Sequence, residues 1–134
     1  MDLAERLRVV LDGVLPFEEE EDGALTVHHE HTFASLRAVT IGEGLDMVSL
    51  TQIVAWDLRL DNDIRDKVSR LAHDTVLGTV SLAEQVVGGG VADVTLRYNF
   101  PAEGLSDEAL QTLIVMVLSA GADVREALVG EPDA

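Results

Sequence analysis

Three of the chain's four histidines fall within four consecutive positions, in Val27-His28-His29-Glu30-His31-Thr32-Phe33. On a regular strand successive side chains alternate, which would put His29 and His31 on one face and His28 and Glu30 on the other. Two imidazoles spaced that way can reach one metal ion, although a durable site takes a third and usually a fourth ligand. The only other histidine is His73. One reading is therefore a small metal-binding protein or metal-dependent enzyme built on the His28–His31 cluster, with His29, His31 and His73 as ligands. The other makes the stretch a polar strand end between Val27 and Phe33 and assigns no cofactor.

Little else in the chain is arranged for chemistry. The absence of cysteine removes disulfides and thiolate nucleophiles, and no serine stands in a G-x-S-x-G elbow. Acidic residues are so numerous that no pair of them singles itself out as an acid–base couple. Lys67, the only lysine, lies off the apolar stripe of its helix, away from the desolvation that a Schiff-base amine needs. Arg97 alternates onto the wet face of a strand, where it either grips an anionic ligand or makes a cross-strand ion pair. Gly88-Gly89-Gly90 is followed by neither phosphate-loop pattern and reads as a turn. A non-enzymatic protein is the expectation.

The elements that must position these residues follow from periodicity. Leu3, Leu7, Val10 and Leu11 predict a first helix over 2–12, closed by Gly13 and Pro16. The acidic run at 16–23 reads as a solvated connector. Three strands are expected over 24–29, 33–41 and 46–56, then a helix capped near Asp63 and Asp66 with Ile64, Val68, Leu71 and Ala72 inward. Val76, Val80, Leu82 and Val86 alternate along a fourth strand. Ala92, Val94, Leu96, Tyr98 and Phe100 alternate along a fifth, which ends at Pro101. Ser106 caps a last helix, whose Leu113, Val115, Met116 and Val117 spread its apolar surface beyond one stripe. That breadth means burial on more than one side, either by the rest of the domain or by a second copy. A short solvent tail is expected over 130–134.

The result is one domain over 1–134, α+β, with the order αβββαββα and an antiparallel sheet packed against helices. The formal net charge of −16 sets 25 acids against 9 Lys and Arg. Such a chain repels nucleic acid and anionic membrane, both of which are gripped through basic residues. With no apolar run of membrane-spanning length and no signal-peptide pattern at the start, a cytoplasmic setting is expected.

The segments "DIRDKVSRLAH", "LGTVSLAEQ" and "ADVTLRYNFPAEGLSDEALQTLIVMVL" together resemble the YbjN-type family of small bacterial proteins. Its members carry the label of sensory transduction regulators and are similar in fold to type III secretion chaperones. The specific part is a strand, a proline, then Gly-Leu-Ser-Asp-Glu opening an apolar helix, here Pro101 to Leu110. The resemblance implies a non-enzymatic homodimer that holds an unidentified protein or peptide client. It carries over no site residue, and the histidine cluster departs from it.

Overall fold

The computed structural model describes residues 1–85 and 89–130. Its elements run α1 (Leu3–Leu11), β1 (Phe17–Glu19), β2 (Leu25–His29), β3 (Thr32–Gly42), β4 (Leu45–Arg59), α2 (Asn62–Asp74), β5 (Thr79–Glu84), β6 (Val91–Pro101) and α3 (Asp107–Val129). The strands form one antiparallel sheet in the order β1-β2-β3-β4-β6-β5. The fold is thus α+β, as expected, with one strand more than the sequence reading allowed.

The extra strand lies inside the acidic run. Phe17 turns toward the core while Glu18 and Glu19 stay exposed, so three residues suffice to pair with β2. A short, charged strand is a good sheet edge because it discourages further pairing. The acids beside it are also partly tied down. Arg8 meets Glu19 at 2.6 Å and Arg37 meets Asp22 at 2.8 Å. The Ala24 N–H, with Arg37 in support, holds the Asp22 carboxyl below its usual range.

Other boundaries shift for local reasons. Asp61, rather than Asp63 or Asp66, caps α2 by accepting from the Ile64 N–H at 2.9 Å. β5 starts only at Thr79, and Val76 stands outside it, 92% exposed. The expected positions Val86, Gly88 and 131–134 lie outside the described residues.

Register divides the sheet into rows. Phe17, Val27, Ala34, Gln52, Leu96 and Val80 face one another across all six strands on the covered side. The neighbouring row, on the open side, is Glu18, Thr26, Ser35, Thr51, Arg97 and Thr79. Helices cover only the first face. α3 buries Leu110, Ile114, Val117, Leu118, Val124 and Leu128, and α1 buries Leu3, Leu7, Val10 and Leu11 beside it. Val117, expected at a partner surface, is wholly buried within its own chain. Arg6 fastens α1 to the start of α3 through Asp107 and the carbonyls of Ala102 and Leu105.

Gln52 is the one core position of its row that is polar. Its Nε2 donates to Thr32 Oγ1 at 2.9 Å and to the Leu118 carbonyl at 3.0 Å, and the Thr32 hydroxyl donates on to the His29 carbonyl. Gln52 Oε1 is buried with no partner among the described residues, an arrangement worth roughly 1–3 kcal/mol of lost solvation. Directly above it is Gly121, where a Cβ would come within 1.9 Å of that oxygen. Gly121→Ala is therefore expected to destabilise by roughly 1–3 kcal/mol in urea denaturation. Combined with Gln52→Ala it should recover about 1 kcal/mol or more of that loss, because the two residues are in contact. Strictly additive costs would show that Gly121 does not make room for Gln52.

Candidate partner-binding surface

The histidine cluster is a turn. β2 ends at His29, β3 begins at Thr32, and these two pair directly. Glu30 and His31 are the two residues between them, with φ of 43° and 67°. Two consecutive positive φ values are what a type I′ hairpin turn requires. The turn separates the imidazoles that a regular strand would have aligned. His28 lies on the open face opposite Phe33, and His31 is exposed in the turn. His29 leans under α3, its Nε2 3.4 Å from Ser119 Oγ and 3.6 Å from Glu30 Oε2. His73 is exposed in the last turn of α2, a helix that packs on β5 at the far side of the sheet from β2. Among the described residues no three His, Cys, Asp or Glu side chains come together as a metal site.

The feature that stands out lies next to that turn. Phe33 and Trp56 are 40% and 43% exposed, yet their ring centroids are 5.8 Å apart. Pairing between β3 and β4 stops at Phe33 and Ile53, so β4 runs on past its neighbour. Two bulges, between Ile53 and Ala55 and between Ala55 and Leu58, bend this free length. Bulges of this kind re-aim side chains. Here Val54 and Ala55 are both buried, and Trp56 is left at the margin of the sheet.

Helix α3 holds the indole from the other side. The guanidinium carbon of Arg125 lies 4.7 Å from the Trp56 ring centroid, and an Nη of Arg125 donates to the Val54 carbonyl at 3.0 Å. Asp57, at φ 55°, is secured by its N–H donating to Asp93 Oδ1, while Gln85 Nε2 donates to both carboxylates. An aromatic pair fixed on two sides loses little conformational freedom when something docks on it.

Of the positions named from sequence, Leu113 and Val115 are half-buried and Met116 is 54% exposed. Val117 belongs to the core. Phe33 and Trp56 carry only a faint signal in the sequence. It consists of a lone tryptophan at a strand end and a phenylalanine standing in the polar register.

No protein-family model matches the chain, and no curated protein matches it. Among solved structures, it is similar to the crystal structure of YbjN from E. coli. The TM-score is 0.63 at 13% identity, over 90% of this chain and 87% of that one. The chain therefore has a YbjN-like fold, a likeness of architecture rather than of sequence.

The turn yields a direct test. Side chains at positive φ cost roughly 1–2 kcal/mol relative to glycine, and Asn-Gly is the preferred pair here. Glu30→Asn with His31→Gly should raise unfolding free energy by about 1 kcal/mol or more. A fall in stability would mean that the two residues do more than turn the chain.

Proposed function

We propose that this chain is a non-enzymatic binding module with a regulatory role, and that it holds a partner polypeptide at the Phe33–Trp56 corner. The observation that carries this reading is the exposure of two large aromatics that are nevertheless fixed by Arg125 and by the bulges of β4. Aromatic anchors dominate protein–protein contacts because they bury much area at small entropic cost. Ile53, half-buried between Phe33 and Thr95, extends the apolar floor. The YbjN of the similar structure is itself described as a candidate transcription regulator, which accords with a regulatory role. A charge of −16 weighs against direct contact with a nucleic acid backbone, so regulation through a protein is the more coherent form.

The test uses a partner recovered from the native host and measures its affinity for variants. Trp56→Ala and Phe33→Ala should each weaken binding about tenfold or more, the scale of a central aromatic contact. Val76→Ser, which alters a still more exposed apolar residue elsewhere, should leave it unchanged. Equal losses in all three would remove the corner from the interface. The sole tryptophan is also a convenient reporter, because partner docking should shift its emission.

The homodimer belongs to the same reading, with Met116 flanked by Leu113 and Val115 as the surface offered to a second copy. Light scattering at micromolar concentration should give twice the chain mass, falling to one on Met116→Glu. A monomer before the substitution would end the dimer proposal.

A further inference from the structure

Arg97 is a feature that partner binding leaves unexplained. It lies on the open face of β6, directly between Thr51 of β4 and Thr79 of β5. No carboxylate lies within ion-pair distance of it among the described residues, as is also true of Arg59, Arg70 and Arg125, whereas Arg6, Arg8, Arg37, Arg65 and Lys67 each have one. Thr95 and Asn99 stand two residues away on the same face, and Ser49 and Ser81 face those in turn. One guanidinium is thus set among hydroxyls and a carboxamide.

The backbone adds a recess. β5 begins at Thr79, so the edge of β6 from Tyr98 onward has no strand on that side. The chain turns away at Gly78, with φ +85°, close against the Arg97 carbonyl. A hollow of about 650 Å³ remains, lined by Gly78, Thr79, Ser81, Arg97, Tyr98 and Asn99.

We propose that this recess binds the phosphate group of a small ligand. A guanidinium presents a planar fork to two oxygens, and hydroxyl and amide groups donate to others. Ser81 and Thr95 share a hydrogen bond at 3.1 Å, which leaves Thr79 and Asn99 as the donors beside the guanidinium, and the tetrahedral oxygens of a phosphate can meet donors on several sides at once. The net charge of the chain does not decide against it. The carboxylate in Arg97's own row is Glu18, four strand spacings or roughly 19 Å away, and Asp93 is four residues along β6, roughly 13 Å. Both distances exceed the screening length of about 8 Å at physiological ionic strength.

The proposal is tested by titrating the full chain, at constant ionic strength near physiological, with inorganic phosphate, glycerol phosphate and acetate, following backbone amides by NMR. Saturable shifts at Thr79, Arg97 and Asn99 with either phosphate probe, and at least fivefold weaker response to acetate, support it. The tighter of the two phosphate probes distinguishes the free ion from an ester as its source. Arg97→Gln should abolish saturation, and Thr79→Val should weaken it severalfold, with all other amides unmoved. Shifts that never saturate, that match for acetate, or that persist in Arg97→Gln overturn the proposal. Affinity of the partner for the Trp56 corner is measured separately, so each conclusion stands or falls alone.

Discussion

Helix α3 can lie flat across the sheet because Gly121 presents no side chain to Gln52, and most of the architecture rests on that contact. The amide of Gln52 reaches the Leu118 carbonyl across the interface, and Thr32 continues the chain of hydrogen bonds to the end of β2. A bulkier residue at 121 would lift the helix from the strands that its leucines and valines must cover. A buried amide with one oxygen left unpartnered is a costly choice for a core. It does set the helix's height and register in a way that aliphatic packing alone does not.

That placement has consequences at both ends of α3. Its start is drawn to α1 by Arg6 and by Gln111, which donates to the Val10 carbonyl. Its far end brings Arg125 over Trp56. The aromatic corner is therefore a product of the helix–sheet interface, although neither aromatic belongs to the helix. Because the helices lie on one face, the other face of the sheet stays open, and it is there that Arg97 lies, with no carboxylate within ion-pair distance among the described residues.

Much of the framework was legible in the residues. Alternation in β6 and the Ser106 cap are local signals, and both describe the structure as it is. The strand in the acidic run was not legible, because four adjacent glutamates mask one inward phenylalanine and pairing with β2 is a nonlocal event. The choice between the two readings of the histidines, metal pair or polar strand end, turned on a related point. Alternation holds only while the chain stays extended, and positive φ at Glu30 and His31 ends it just where the spacing suggested a site. The candidate surface was the least legible part. Phe33 and Trp56 are distant in sequence, and Arg125 is farther still.

By itself, then, the sequence determined the α+β class, the order of most elements, the acidic character and the core faces, since each depends on composition or on a period of two or 3.6 residues. Only the tertiary structure decided which helix residue lies over Gln52, that Val117 is core, that β4 outruns β3, and that no carboxylate among the described residues comes within ion-pair distance of Arg97. Those are relations between residues far apart in the chain, and they come into being only when a helix and a sheet meet at a particular distance and register. The "VHHEHTF" stretch shows the boundary between the two: its residue types are plain to read, but the turn that disperses them is made by the hairpin.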